Sequence, residues 1–287
     1  MQFSVKCRLD YEVQVPSTLM FNIHVQRSRS QSIVNEQFSV HPPLAFEELD
    51  VAGTGNRFIR LKTGRAKRLS VSYDATVDCS LQLLPVGSLD ELSVAELHRD
   101  TIPFLFPSRY CQSDKLGRLA WDLFGRIRHP YRRVLAIVDW IHDNVEYVRG
   151  STTSDTSSYD TVTQRTGVCR DFAHLGIALC RALNIPARYF SGYAYQLEPA
   201  DFHACFECHI GGAWFVFDGT RLAPLNGLVR VGTGRDAADA ALASIFGSIL
   251  LKEMSVACVL APGQKFVPLT RSRIRANGVS LEMAGAA

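Results

Sequence analysis

The chain has 287 residues, long enough for two domains that each bury a core, and its 47% hydrophobic and 21% charged content excludes disordered and fibrous classes. Thirty-one basic side chains against 28 acidic leave a net charge of +3, too little for the electrostatic footprint of a dedicated nucleic-acid binder. The basic clusters at 62–68 and 271–275 therefore read as solvated faces or tails, not phosphate-binding surfaces.

Residues 1–6 alternate apolar and polar side chains, a pattern that opens a strand and not a signal peptide. Nowhere do eighteen apolar residues run together; the segment 245–251 is short and interrupted, so no membrane span is expected. Eight cysteines scattered through a chain without a recognisable leader are expected to be reduced thiols, and the expected location is cytoplasmic.

Period-2 stretches at 3–15, 18–25, 57–61, 67–77 and 80–84, broken by Pro, Gly and Asn, predict an amino-terminal β-sandwich-like domain over residues 1–100. From about Asp100 the periodicity changes to that of helices, which predicts a second domain over 101–287. Ser113 is the expected cap of a helix with Leu116, Leu119, Ala120 and Leu123 on one face, and Val134, Val138, Ile141 and Val145 carry the same spacing in the next. The polar run 150–158 reads as a connector, or else as a substrate-facing loop.

The next segment predicts a helix with Phe172, Leu175, Gly176, Leu179 and Leu183 on one face, ended by Asn184 and Pro186. With Thr166 as its N-cap, Cys169 falls in the first turn, where unpaired N–H groups and the positive end of the dipole favour an anion. Because the thiolate is the nucleophile, this is a place for a reactive cysteine, whereas Cys180 deeper in the helix reads as a structural thiol.

Two strand-like runs follow, 203–210 and 213–218, separated by Gly211-Gly212, a two-residue hairpin signal. If Ile210 faces Ala213, opposed residues sum to 423, so Asp218 lies across from Cys205 and His203 is two positions along on the same face. Such diagonal neighbours are about 7–8 Å apart at the backbone, within reach of an imidazole–carboxylate hydrogen bond. A carboxylate on one ring nitrogen leaves the other free to take a proton from a thiol.

Cys205-Phe206-Glu207-Cys208-His209 also satisfies the C-x-x-C-H pattern of haem attachment. On a strand, however, Cys205 and Cys208 point to opposite faces and cannot jointly grip a cofactor. His203, Cys205 and His209 share a face, but they spread along an extended strand with no fourth zinc ligand nearby. Neither a cofactor nor a metal is expected.

In order and spacing, Gly167-Val168-Cys169-Arg170-Asp171-Phe172, His203-Ala204-x-x-Glu207 and Phe217-Asp218-Gly219-Thr220-Arg221 resemble the three motifs of the transglutaminase-like superfamily. Residues 107–111 and 234–238 look like the segments that flank this core in bacterial members, which are similar in carrying an amino-terminal β domain. The resemblance implies an α+β fold, a papain-like core in which the helix bearing the cysteine packs on an antiparallel sheet. It also implies a Cys169, His203 and Asp218 triad that acts on amide bonds through a thioester. Where the family often has Trp after His-Ala, this chain has Cys205. No acidic cluster resembles the calcium sites of animal transglutaminases.

Among the remaining residues, Gln164 is a candidate for completing an oxyanion hole with backbone N–H groups near Cys169. Glu207 is either a buried hydrogen-bond partner or a solvated residue, Arg170 and Asp171 serve the helix start, and His174 is a packing or surface residue. Gly53-Thr54-Gly55 and Gly232-Thr233-Gly234 read as turns. Hydrolysis of a protein or peptide amide is the expected reaction; crosslinking or deamidation of glutamine, or a non-catalytic interaction module on the same fold, are the alternatives. Sequence alone leaves the oligomeric state open.

Overall fold

The computed structural model describes residues 1–51, 53–90 and 92–282, so the last five residues of the expected second domain lie outside it. The first part of the chain forms β1 (Gln2–Val13), β2 (Thr18–Phe21), β3 (Gln31–His41), β4 (Phe46–Asp50), β5 (Arg57–Lys62), β6 (Arg68–Cys79) and β7 (Gln82–Pro85). Strict alternation explains the long ones: Phe3, Val5, Cys7, Leu9, Tyr11 and Val13 all point inward from β1, and Leu69, Val71, Tyr73, Ala75 and Val77 do so from β6. They pack with Leu19, Phe21 and Ile59 into one apolar core. β3 and β4 escape the sequence reading because each lies at the end of its sheet with most side chains exposed, so neither shows clean alternation.

Next come α1 (Ser113–Phe124), α2 (Pro130–Asn144), β8 (Glu146–Tyr147), α3 (Ser158–Gln164), β9 (Thr166–Gly167) and α4 (Cys169–Ala182). These are followed by β10 (Ala187–Ala194), β11 (Phe202–Ile210), β12 (Ala213–Phe217) and β13 (Leu228–Gly234). The antiparallel sheet runs β12-β11-β10-β13, and α4 lies on it, sharing a core that includes Leu175, Leu179, Phe206 and Phe217. The α+β class and the helix-on-sheet core match the expectation. Gly176 is small for a reason: a Cβ there would come within 2.4 Å of the Phe206 ring.

The chain ends with β14 (Ala243–Phe246), β15 (Ile249–Leu260), α5 (Arg271–Ala276) and β16 (Asn277–Ser280). Here carboxy-terminal chain returns to the amino-terminal sheets. β15 pairs antiparallel along the whole of β1, from Phe3 opposite Leu260 to Val13 opposite Ile249, and β14 pairs with β2. The two sandwich sheets are therefore β15-β1-β6-β3 and β14-β2-β5-β4, each completed by carboxy-terminal chain. Tyr193, Phe202, Val229 and Val231 of the second half join the sandwich core, so the two halves share buried surface.

Two smaller expectations also change. Ser113 is the first residue of α1 and not its cap, and Leu123 faces outward while Phe124 is buried. Gly232-Thr233-Gly234 lies within β13, where a side chain at 232 would strike Asn22; Gly53 and Gly55 do sit in a turn, at φ of 78° and 70°. No helix among the described residues is long and apolar enough to cross a membrane.

Candidate functional site

The start of α4 is set by pairing as much as by capping. β8 and β9 form a short parallel ladder, with Glu146 opposite Thr166 and Tyr147 opposite Gly167, so Thr166 is committed to a strand and is not the cap. Val168 is the N-cap instead, and the Asp171 carboxylate accepts its N–H at 2.9 Å. Cys169 thus becomes the first helical residue, with its side chain half-buried at the helix mouth. Asp171 is completely buried and is held from outside by Arg170, whose guanidinium also donates to the Thr153 carbonyl.

The hairpin forms in the expected register, with Ile210 opposite Ala213, His209 opposite Trp214 and Phe206 opposite Phe217. Gly211 and Gly212 take φ of 56° and 85°, the left-handed pair that a two-residue hairpin turn needs. β12 stops at Phe217, and Asp218 immediately follows. His203 Nε2 and Asp218 Oδ2 are 2.9 Å apart, both residues buried, and the Thr220 N–H and hydroxyl donate to Asp218 Oδ1 at 2.8 and 2.7 Å. The Cys169 thiol is close enough to the His203 ring to be among the groups that raise its pKa.

The electrostatics follow from this packing. Burial opposes charge on His203, but neighbouring groups outweigh it and lift the imidazole well above its ordinary 6.5. Cys205 faces the ring, and burial pushes that thiol up to about 12. Beside Cys205, the Asp218 carboxylate and its hydrogen bond raise the His203 pKa. For Asp218, burial works against the charge, yet the His203 charge and the hydrogen bonds from His203 and Thr220 hold it below 3.8.

Cys205, in the position where a Trp is often found in the resembled motif, is fully enclosed, and its sulfur lies within 4.8 Å of donor atoms of His203 and Asp218. This three-donor group differs from the His203, Cys205 and His209 set considered from the sequence. His209 packs edge-on against Trp214, away from the other two. Cys208 points to the opposite face of β11, where its sulfur meets that of Cys180 at 3.5 Å, and both are buried free thiols.

Gln164 ends α3 with its side chain exposed and no hydrogen bond among the described residues. Tyr147 lies near Cys169, and its hydroxyl pKa is raised chiefly by burial and next by Cys169. Nothing in the sequence marks Tyr147. It reaches the site only because the two-residue ladder between β8 and β9 brings it there.

Glu207 is a buried partner, as one of the two readings had it. It accepts from Arg188 Nε at 2.7 Å and from Arg230 Nη2. His174 is a packing residue, stacked on Tyr110 and accepting the Ala237 N–H. The two flanking segments meet beside it, where the Tyr110 N–H donates to Asp236 at 2.9 Å.

A cavity of about 480 Å³ opens beside the imidazole, walled by Tyr147, Arg149, Glu198, Asp201, His203 and Leu222. Glu146 also lines it, so three carboxylates face one guanidinium there. Burial raises the pKa of Asp201.

A half-buried thiol at a helix mouth, near an imidazole that pairs with a carboxylate, lies on an α+β core of one helix packed on an antiparallel sheet. Residues 1–100 match the bacterial transglutaminase N-terminal domain, and residues 118–219 match the transglutaminase-like superfamily. The chain is 53% identical to the "Putative Cysteine Protease" of Cytophaga hutchinsonii, with a TM-score of 0.94 over 98% of this chain and 97% of that one. It is also 25% identical to an uncharacterized protein of Mycobacterium leprae, over 80% of this chain and 88% of the relative. An uncharacterized protein of Mycobacterium bovis is 33% identical over 34% of this chain and 36% of its own length. The chain belongs to the transglutaminase-like superfamily.

Proposed function

We propose that the protein is a thiol amidohydrolase acting on protein or peptide amides through a Cys169 thioester, in a reducing, cytoplasmic setting. Cys169 passes its proton to the His203 nitrogen not bonded to Asp218, and the sulfur attacks the amide carbonyl carbon. As the C–N bond breaks, the imidazolium returns that proton to the leaving amine. Water then attacks the thioester, gives a proton to His203 and releases a carboxylate as the C–S bond breaks. The Tyr147 hydroxyl and N–H groups at the α4 start are the donors this reading assigns to the oxyanion.

The observation that carries the reading is the alignment of Cys169, His203 and Asp218, with His203 held above its ordinary range. An imidazole whose pKa is raised is the better proton acceptor for a neighbouring thiol. One observation favours a second reading, transfer to an amine: Glu146, Glu198 and Asp201 around the cavity complement a cationic acceptor such as a lysine side chain. Incubation of the protein with a glutamine-containing peptide and a fluorescent amine separates the two. Hydrolysis gives cleaved or deamidated peptide free of label, transfer gives labelled peptide, and an unchanged peptide library together with an unreactive Cys169 would leave only an interaction module.

A further inference from the structure

A second cavity, of about 430 Å³, lies on the far side of Leu222 from the first. Its walls include Leu135, Val138, Leu225, Leu269 and Ile274, so most of what a ligand would meet is apolar. On its rim three guanidiniums converge on one carboxylate: Asp139 accepts from Arg221, from Arg271 at 3.3 Å and from Arg275 at 2.6 Å. Asp143 contributes a second negative charge near Arg221. Asp218 also reaches the wall, but its charge is matched by His203. Three positive charges against two negative ones leave an excess cation at the mouth of an apolar pocket.

Arg221 adds an independent observation. Its φ of 58° lies in the left-handed region, which a residue with a Cβ holds only where its surroundings fix it. The strained backbone directs the guanidinium toward Asp139, beside Arg271, whose like charge is among the causes that lower the Arg221 pKa after burial. The basic run at 271–275 is therefore not simply a solvated face, since two of its arginines line this cavity.

We propose that this pocket binds a small molecule or chain end in which an apolar body carries one carboxylate, the body among the leucines and the carboxylate on Arg271 and Arg275. An Arg-bound carboxylate is held by paired, charge-assisted hydrogen bonds, and the apolar wall selects against small inorganic anions. Because Leu222 lines both cavities and Asp218 lines this one, an occupant sits directly behind the triad. The site does not depend on the chemistry proposed for Cys169.

Calorimetric titration of the full-length protein with octanoate tests the site, with octan-1-ol as neutral counterpart and N-acetyl-leucine as mimic of a peptide carboxy terminus. Octanoate should bind about tenfold more tightly than octan-1-ol, and the Arg271→Gln/Arg275→Gln variant should lose about that factor. Asp139→Asn, which releases the arginines, should tighten octanoate binding, and Cys169→Ala should leave it unchanged. Tighter binding of N-acetyl-leucine than of octanoate would assign the site to a peptide end. Equal affinity for octanoate and octan-1-ol, no heat with any probe, or the same affinity in the Asp139 and double-arginine variants would overturn the proposal.

Discussion

Asp218 holds two partners with its two oxygens: Oδ2 meets His203 Nε2 at 2.9 Å, while Oδ1 accepts both the N–H and the hydroxyl of Thr220. The carboxylate is thereby held at both oxygens. Removing only its charge, as in Asp218→Asn, leaves the shape but favours the wrong ring tautomer. Amide turnover should fall by roughly 10³- to 10⁴-fold with little change in KM, measured by steady-state kinetics on a responsive peptide. Retention of wild-type kcat would remove Asp218 from the reaction.

Iodoacetamide at neutral pH should label Cys169 ahead of every other cysteine. Five of the others are buried, and in the two that are not, Cys79 and Cys258, burial of the sulfur raises the thiol pKa, to about 12 for Cys79. Peptide mapping after brief alkylation reads the order directly, and His203→Ala should slow labelling of Cys169 alone. Even labelling of Cys79, Cys169 and Cys258 would count against the paired site.

The His203–Asp218 pair makes stability depend on pH in two directions. His203 is raised above 6.5 in the fold, so its contribution is complete below 6.5 and is lost as pH rises through the higher folded value. Asp218 is lowered below 3.8, so its contribution is present above 3.8 and is lost as pH falls through the lower folded value. The pair therefore stabilises most between about 4 and 6.5. Melting temperatures of wild type and His203→Asn should diverge in that window and converge toward alkaline pH; parallel curves throughout would contradict it.

Glu207 is fully buried between Arg188 and Arg230. Glu207→Ala strands two arginines, one of them against the Trp214 ring, without their shared carboxylate. A loss of about 3–5 kcal/mol in urea unfolding is expected, since breaking one side of a buried pair costs more than the pair contributes. A change below about 1 kcal/mol would mean that Glu282, which also contacts both arginines, takes over.

Gly176→Ala should destabilise by about 1–3 kcal/mol, because the new methyl forces α4 away from Phe206 on β11. Since Cys169 starts that helix and His203 lies at the start of that strand, the same shift should lower the alkylation rate of Cys169 as well as the melting temperature. Unchanged stability would show that the Phe206 ring can turn aside.

The local features of this protein were legible in one dimension. The alternation in β1 and β6, the helical stripe of α4 and the Gly211-Gly212 turn each depend on residues within a few positions, and together they determined the register that brings His203 and Asp218 to one face. Tertiary structure alone decided the rest. That β15 closes the sheet beside β1, some 250 positions away, follows from an open strand edge seeking backbone partners, and backbone hydrogen bonding leaves no mark in side-chain pattern. Tyr147 near Cys169, Cys205 beside His203 and Asp218, and three arginines on Asp139 are likewise meetings of separate segments. Periodicity tells which way a side chain faces, and only packing tells what it faces.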